Sequence, residues 1–164
     1  MLPGASDIRL VAFDVDGVFT DGRLLFGDDG AEYKVFHVRD GHGVRRLARA
    51  GITPAVISGR ASDAVTRRMQ ELGVEHVFQG VSDKVAVFDG LLAELGLSPA
   101  QAAFVGDDEP DLAVMARAGL AIAVADAHAV VRAAADWTTS APGGLGAVRE
   151  VCDLLVAARE GARE

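Results

Sequence analysis

The feature that most constrains this chain is an apolar stretch that ends abruptly in two acids and a glycine. Residues 8–13 are apolar except for Arg9, which predicts a short strand buried on both faces within a parallel sheet. Asp14, Asp16 and Gly17 follow almost at once. In open α/β sheets ligands bind beyond the carboxyl ends of the strands, and buried carboxylates are paired or bind metal. The acids therefore indicate a functional site, although an Asp after a strand is also a common turn former or helix cap.

Composition narrows the class of protein. The chain has 164 residues, 50% of them hydrophobic, which suits one well-buried domain over residues 1–164. A net charge of −8 argues against a nucleic-acid partner. The apolar stretches are too short to span a bilayer, and the first residues lack the pattern of a signal peptide. The single Cys152 lies in an apolar helical pattern typical of a buried side chain. We therefore expect a cytoplasmic protein with no membrane or nucleic-acid partner.

Strands and helices alternate along most of the sequence. This alternation predicts an α/β fold, with a parallel sheet and helices on both faces. Residues 23–36 interrupt the rhythm with two strand-like runs around a Gly/Asp turn, which predicts a β-hairpin flap over the site. Asp40 and Asp126 each precede a helical pattern and are expected to cap it. A terminal amphipathic helix is expected over residues 146–159.

Polar groups also follow two later strands. Ser58 and two exposed backbone amides follow the second predicted strand of the sheet, and Lys84 begins the third predicted helix. Asp107 and Asp108 follow a buried strand further along the chain. Because the carboxyl ends of parallel strands meet at one edge of a sheet, all of these groups are expected to converge on one crevice.

The residue types at this crevice favour phosphoryl transfer assisted by a metal. Oxygen ligands at carboxylate density suit Mg²⁺, which keeps several waters and bridges to a substrate phosphate. Asp14, Asp107 and the carbonyl group of Asp16 can supply such ligands. Once the metal, Lys84 and the Ser58 hydroxyl neutralise the phosphate, one carboxylate can attack phosphorus. A second carboxylate can then protonate the leaving group and activate water.

Each of these polar residues has a simpler interpretation when it is considered alone. Ser58 before a glycine is more often part of a turn than a phosphate clamp, and Lys84 alone would be a solvated surface lysine. Asp108 and Asp111 can merely cap the helix that Pro110 opens. The order of the pieces along the chain therefore carries the functional interpretation.

Taken together, the segments resemble the four motifs of the haloacid dehalogenase (HAD) phosphatase superfamily. The matching segments are residues 14–18, residues 57–60, Lys84 and residues 106–108. The resemblance extends from about residue 8 to about residue 157 and implies a Rossmann-like HAD fold. It also implies a Mg²⁺-dependent phosphomonoester hydrolase that works through an aspartyl-phosphate intermediate.

The resemblance further implies a role for each matching residue. Asp14 would be the nucleophile and Asp16 the general acid/base. The Mg²⁺ ligands would be Asp14, Asp107 and the Asp16 carbonyl, and the phosphate-binding groups would be Ser58, Gly59 and Lys84. Asp108 and Asp111 would be supporting acids, with Asp108 orienting Lys84 or the metal-bound waters. Arg60 is the expected contact for the carboxylate of a sugar acid, because a guanidinium group pairs with carboxylates in a bidentate way.

More narrowly, the chain resembles the 3-deoxy-D-manno-octulosonate 8-phosphate (KDO 8-phosphate) phosphatases, a capless branch of this superfamily. Residues 20–22, 36–41 and 143–150 carry this resemblance, and the intervals between the motifs leave no room for an inserted cap domain. Capless members shield the site with a neighbouring subunit. The resemblance therefore implies a phosphorylated sugar acid as substrate and a homotetramer. In that tetramer, the hairpin and the segment from Gly143 to near Arg149 would lie close to a neighbouring active site.

Three other interpretations remain open. A phosphatase for 2-keto-3-deoxynononate 9-phosphate or N-acetylneuraminate 9-phosphate would share the mechanism and differ in substrate. The substrate stays open because His42 stands where this family often has an aromatic residue. A response-regulator receiver domain also combines acids, a hydroxyl and a lysine, but its motifs come in a different order. The third alternative is a catalytically silent partner domain with the same fold.

Overall fold

The computed structural model describes residues 2–162 and contains a parallel sheet flanked by helices. The strands in chain order are β1 (Leu10–Phe13), β2 (Leu25–Phe26), β3 (Glu32–Tyr33), β4 (Thr53–Ile57), β5 (His76–Phe78), β6 (Ala102–Gly106), β7 (Leu120–Ala123) and β8 (Trp137–Thr138). The helices are α1 (Val38–Arg49), α2 (Asp63–Leu72), α3 (Lys84–Leu95), α4 (Leu112–Arg117), α5 (Ala129–Ala134) and α6 (Ala147–Gly161). Among these residues, no helix is long and apolar enough to cross a membrane.

The sheet has six parallel strands in the order β5-β4-β1-β6-β7-β8. Strands β1 and β6 lie at its centre, with Phe13 opposite Val105, and every residue of both strands is buried. This burial on both faces explains why each strand is a continuous apolar run rather than an alternating one. It confirms the predicted α/β fold class.

The strand order places the reversal of the chain path beside β1. The chain moves from β1 to β4 and β5 on one side, then returns to β6 and continues to β7 and β8 on the other side. The crevice at such a reversal is where open α/β sheets bind ligands. Asp14 and Asp107 immediately follow the two strands that flank it.

Helices cover both faces of the sheet. α1 packs against α6 and α2, while α3 and α5 pack against α4. Right-handed crossovers require this division, because the connections from β1 to β5 move one way across the sheet and those from β5 to β8 move the other way. The Cys152 side chain lies fully buried on α6, as its apolar setting predicts.

Asp40 does not cap α1, contrary to the sequence prediction. α1 begins at Val38, and His37 is its N-cap, with Nδ1 accepting the Arg39 N–H at 3.1 Å. Asp40 instead lies buried in the first turn, where its Oδ1 accepts the backbone N–H of Arg149 at 2.9 Å. Burial raises the pKa of this carboxyl, and its Oδ2 has no partner among the described residues. Asp40 therefore caps α6 across the interface between the two helices.

Asp126 is a second capping residue that the sequence assigned to the wrong element. α5 begins at Ala129 with His128 as its N-cap. The Oδ1 atom of Asp126 accepts the backbone N–H of Gly143 at 2.9 Å. Both errors have the same cause, because a short acidic side chain accepts any nearby free N–H group, and tertiary packing decides which one is nearby.

The hairpin is shorter than the predicted span of residues 23–36. Its ladder consists of two residues in each strand, with Leu25 opposite Tyr33 and Phe26 opposite Glu32. A two-stranded ribbon of this size is marginally stable in isolation, so its position depends on side-chain contacts with the rest of the chain. The terminal helix runs slightly past the predicted span of residues 146–159 and begins one residue later, at Ala147.

The loop that precedes α6 packs against the turn that follows β1 of the same chain. A Cβ atom at Gly143 would lie 1.7 Å from the carbonyl oxygen of Gly17, and the Gly144 N–H donates to the Val18 carbonyl at 2.9 Å. Gly143 therefore allows two backbone segments to approach more closely than any side chain would permit. The resemblance implies that this loop also lies close to a neighbouring active site; within its own chain it supports the turn that carries Asp16.

We expect Gly143→Ala to destabilise the protein by about 1–3 kcal/mol, because the added methyl group has to displace the backbone at Gly17. Gly90→Ala is the matched control, since Gly90 lies within α3 and its added methyl group would meet no atom within 4 Å. That control should be neutral or should stabilise the protein by up to about 1 kcal/mol. Urea unfolding measures both free energies, and a Gly143→Ala variant as stable as the wild type would contradict the packing argument.

Candidate active site

An open pocket of about 310 Å³ lies at the carboxyl ends of the central strands. Its lining combines all the site residues predicted from the sequence with two further residues, Gly22 and Pro110. The predicted residues in the lining are Asp14, Asp16, Ser58, Gly59, Arg60, Lys84, Asp107, Asp108 and Asp111. Residues from four separate stretches of the chain therefore meet in one crevice.

The centre of the pocket is an ion-paired cluster around Lys84. The Lys84 Nζ lies 3.0 Å from Asp14 Oδ1 and 2.7 Å from Asp111 Oδ1. Lys84 is the first residue of α3, whose N-cap is Asp83, and Asp14 immediately follows β1. Burial alone would lower the pKa of Lys84, but the charges of Asp14 and Asp111 outweigh it and raise that pKa. Lys84 is therefore a fixed positive charge beside the Asp14 carboxylate.

Asp107 brings a further carboxylate into the cluster. One oxygen from each of Asp14, Asp107 and Asp111 lies within 4.8 Å of the others. Burial, followed by the charges of Asp14 and Asp111, raises the pKa of Asp107 to about 8. Burial and the charge of Asp111 raise the pKa of Asp14 to about 6, against the opposing effect of Lys84. The cluster thus carries more negative charge than its lysine neutralises.

The hydrogen bonds of Asp111 decide which carboxylates can accept a cation. Its Oδ1 pairs with Lys84, and its Oδ2 accepts the backbone N–H of Asp107 at 3.0 Å. Asp14 and Asp107 therefore hold the oxygens that remain available. Three carboxylates against one ammonium group leave a formal excess of two negative charges. That excess and the all-oxygen donor set fit a divalent cation such as Mg²⁺.

Asp108 does not contact Lys84, and orienting Lys84 was one of the two roles implied for it. Its side chain accepts the Glu109 N–H at 2.8 Å and caps the short 3₁₀ turn Glu109–Asp111. Besides Asp14, the acid that contacts Lys84 is Asp111. Asp108 still lines the pocket, but the structure shows it in the capping arrangement that was its simpler interpretation.

The segment after β4 presents unused hydrogen-bond donors to the pocket. Ser58 is buried, and its own N–H donates to the Phe78 carbonyl. The N–H groups of Gly59 and Arg60 have no protein acceptor within residues 2–162. Together with the serine hydroxyl, such free amides are suited to bind an anion.

The Asp16 carboxylate is held by Lys34, which with Glu32 is a residue that no sequence motif indicated. Lys34 Nζ lies 2.5 Å from Asp16 Oδ1 and 3.0 Å from Glu32 Oε1. Arg60 bridges the same two acids, with 3.8 Å from its Nε to Asp16 and 3.2 Å from its NH2 to Glu32. One signal was available in the predicted hairpin span, because residues two apart in a strand share a face, which predicts that Glu32 and Lys34 point the same way. Which surface that face meets is visible only in the folded chain.

The chain is similar to known proteins, both to a family model and to individual sequences. A family model for haloacid dehalogenase-like hydrolases matches residues 77–148. The chain is 47% identical to the 3-deoxy-D-manno-octulosonate 8-phosphate phosphatase KdsC of Yersinia pestis over 95% of this chain and 83% of that protein. The protein of the same name from Escherichia coli K12 is also 47% identical, over 94% of this chain and 82% of that one.

Solved structures of similar proteins superpose on nearly the whole of this chain. The Yersinia pestis phosphatase superposes with a TM-score of 0.95 and 45% identity, covering 99% of this chain and 88% of that one. The Moraxella catarrhalis phosphatase, solved in complex with a magnesium ion, a phosphate ion and a KDO molecule, superposes with a TM-score of 0.94 and 42% identity, covering 96% and 91% of the two chains. A probable YrbI family phosphatase from Pseudomonas syringae gives a TM-score of 0.95 at 50% identity, covering 99% and 94%.

The raised pKa of Asp107 predicts a specific dependence of stability on pH. A carboxyl with a folded pKa of about 8 and an ordinary value of 3.8 binds a proton more tightly in the folded state. The free energy of unfolding should therefore fall as the pH rises between those two values. In buffer with EDTA, Asp107→Asn should remove much of this loss and raise Tm at pH 8.5 by roughly 3–6 °C after allowing for solvent screening.

At pH 5 the same variant should differ little from the wild type, because the Asp107 carboxyl is then mostly protonated in the folded state. Calorimetry of both proteins at the two pH values measures the difference. An equal Tm change at both values would show that Asp107 does not carry the excess charge.

Proposed function

Because this chain belongs to the haloacid dehalogenase-like hydrolase family, as a phosphatase, we propose that it hydrolyses KDO 8-phosphate to KDO and inorganic phosphate. The observation that carries the proposal is the position of Asp14, which lines the pocket beside the Lys84 ammonium group and has a carboxylate oxygen within 4.8 Å of one from Asp107. The substrate is suggested by relatives of this name that are similar over nearly the whole chain.

We propose Mg²⁺ as the cofactor, held by the carboxylates of Asp14 and Asp107 and by the backbone carbonyl of Asp16. The excess negative charge and the free oxygens of the two carboxylates support this choice. When bound, the metal ion supplies positive charge that lets a carboxylate approach an anionic phosphate. Asp111 keeps Lys84 beside Asp14 and so belongs to the support of the site rather than to its metal ligands.

The first chemical step assigned to these residues is transfer of the phosphoryl group to Asp14. An oxygen of Asp14 forms a bond to phosphorus as the bond from phosphorus to the sugar oxygen breaks, which leaves an aspartyl phosphate. Lys84, the Ser58 hydroxyl and the N–H groups of Gly59 and Arg60 bind the phosphate oxygens. Asp16, in the protonated form of its carboxyl group, gives a proton to the departing sugar oxygen, so that an alcohol rather than an alkoxide leaves. The carboxylate that this transfer produces is the form that pairs with Lys34.

The second step regenerates Asp14. Asp16, which lost its proton in the first step, accepts a proton from a water molecule as that water attacks the aspartyl phosphate. The bond between Asp14 and phosphorus breaks, and inorganic phosphate leaves. The separation of roles suits the geometry, because Asp14 is buried against Lys84 while Asp16 has its own partners at the edge of the pocket.

Arg60 is the residue that we propose for recognition of the sugar acid. Its side chain is about half exposed, at 47%, and lies at the pocket beside Asp16. A guanidinium group in this position can pair with the carboxylate of the substrate in a bidentate way.

We propose a cytoplasmic location for the protein. The substrate and its product are small and polar, and the free, buried thiol of Cys152 is compatible with that location.

Phosphate release from KDO 8-phosphate tests this function. The two nine-carbon sugar-acid phosphates are assayed beside it as alternative substrates. We expect turnover of KDO 8-phosphate that EDTA abolishes and Mg²⁺ restores. Asp14→Asn should lower kcat/KM by more than about 1,000-fold, because the nucleophile is lost. Asp89→Asn, which changes an acid paired with Arg117 outside the pocket, is the control and should retain full activity.

The outcomes of this assay separate the alternatives. A preference for a nine-carbon acid would keep the mechanism and change the substrate. Absence of phosphate release from all three compounds would overturn the phosphatase function and favour a catalytically silent domain.

We also propose that the chain forms a homotetramer through its hairpin. A cluster of apolar side chains, here called the hairpin patch, is exposed on and beside the hairpin. Its members are Leu24, Leu25, Phe26, Tyr33, Val35 and Val38. Val35 and Val38 are 77% and 80% exposed, and contiguous exposure of this kind marks an interaction surface. A second copy of the same patch would cover it and would bring neighbouring pockets close together.

Sedimentation velocity measures this assembly directly. Four chains of 17.0 kDa would give a particle of about 68 kDa. Phe26→Glu combined with Val35→Glu should shift the protein to smaller species, because burying two carboxylates at an interface is costly. Val130→Glu, an exposed apolar position on α5, is the control and should leave the mass unchanged. A wild-type protein that sediments as a monomer would contradict the proposal.

A further inference from the structure

Lys34, directly after the hairpin strand β3, is a buried cation that contacts Asp16, a residue of the pocket lining. The Lys34 side chain is only 3% exposed, and its Nζ contacts Asp16 at 2.5 Å and Glu32 at 3.0 Å. Asp16 and Arg60 line the pocket, whereas Lys34 and Glu32 do not. Lys34 and Glu32 can therefore act on the reaction only through the two residues that they hold.

We propose that Lys34 is a positioning residue that fixes the Asp16 carboxylate at the edge of the pocket, and that Glu32 does the same for Arg60. This inference rests on the proposed function, in which Asp16 transfers protons and Arg60 recognises the sugar acid. It gives the hairpin a role in the chemistry of its own chain, in addition to any role in assembly.

The contacts around Asp16 show why its orientation depends on Lys34. Among residues 2–162, the one side-chain hydrogen bond to this carboxylate comes from Lys34. Arg60 lies 3.8 Å away, which is an ion-pair distance but too long for a hydrogen bond. Proton transfer requires the donor oxygen to lie within hydrogen-bond reach of the leaving oxygen. Without Lys34, the Asp16 side chain would be free to adopt other rotamers.

Charge balance around the hairpin leads to the same conclusion. Asp16, Lys34, Glu32 and Arg60 form a closed arrangement of two acids and two bases in which each base contacts both acids. Removing the buried ammonium group would leave two carboxylates facing each other with only a half-exposed arginine between them. Breaking one member of a buried ion pair is costly, so Asp16 and Glu32 would move apart.

The two hairpin residues should affect different parts of the kinetics. Lys34 holds the proton-transferring acid, so its loss should matter most when the leaving group is a poor one. Glu32 contacts Arg60 at 3.2 Å and leaves that guanidinium half exposed, so its loss should weaken binding of the sugar acid. Glu32→Gln is therefore expected to raise KM for KDO 8-phosphate by about 3–10-fold with a smaller change in kcat.

The test compares an alkyl phosphate with an aryl phosphate. KDO 8-phosphate has a poor leaving group that needs protonation, whereas p-nitrophenyl phosphate has a leaving group that departs as an anion. Lys34→Met, which keeps the length of the side chain and removes its charge, should lower kcat/KM for KDO 8-phosphate by about 10–100-fold. For p-nitrophenyl phosphate the loss should be less than about threefold, because kcat/KM reports the step that forms the aspartyl phosphate.

Two further variants separate positioning from a general loosening of the hairpin. Lys34→Arg keeps a cation beside Asp16 and should restore much of the activity on the alkyl phosphate. Arg23→Met removes an 88% exposed cation that pairs with Asp21 before the hairpin, and it should change neither rate. Equal losses on both substrates in Lys34→Met would indicate a purely structural role and would overturn the proposal.

Crystal structures of the wild type and Lys34→Met provide a readout that does not depend on activity. We expect the Asp16 carboxylate to leave its wild-type position in the variant while Asp14 and Lys84 stay in place. An unmoved Asp16 would overturn the positioning role whatever the kinetics show. If the wild type releases phosphate from neither substrate, the proposed function fails, and the structures alone still decide whether Lys34 positions Asp16.

Discussion

The crowding of three carboxylates, two of them buried and one half-buried, is the constraint on which the rest of this site depends. Asp14, Asp107 and Asp111 converge because the two central strands end at the point where the chain reverses its direction across the sheet. Lys84 and the backbone N–H groups that bond to Asp111 offset part of the repulsion. Burial, together with the repulsion that remains, raises the pKa values of Asp14 and Asp107, which means that the site is more stable with a cation present.

Two segments of the chain support the turn that follows β1. Gly143 approaches the backbone of Gly17 so closely that a side chain would not fit. Lys34, directly after the hairpin strand β3, holds the Asp16 carboxylate. Neither support lies near this turn in the sequence. We assign different tasks to the two acids of this turn, and such tasks require this support because small displacements of reacting groups are costly in rate.

Particular residues show how far the sequence could be followed. The strand before Asp14 and the pocket-lining residues after each strand were predictable, because apolar runs and punctuating polar residues reflect local physics that survives in the fold. The capping assignments of Asp40 and Asp126 were wrong, since both side chains accept N–H groups from distant segments. Lys34 was missed because its importance comes from the acid that it meets, not from its neighbours in the chain.

The sequence by itself therefore determined the α/β class, most of the residues that line the pocket and the type of chemistry they suit, because strand periodicity and residue types at strand ends are local properties. Only the tertiary structure decided that Asp111 rather than Asp108 holds Lys84, and that the hairpin reaches back to Asp16. These pairings depend on distances of a few ångströms between segments far apart in the chain. Such distances follow from the packing of the whole sheet and its helices, which no local pattern encodes.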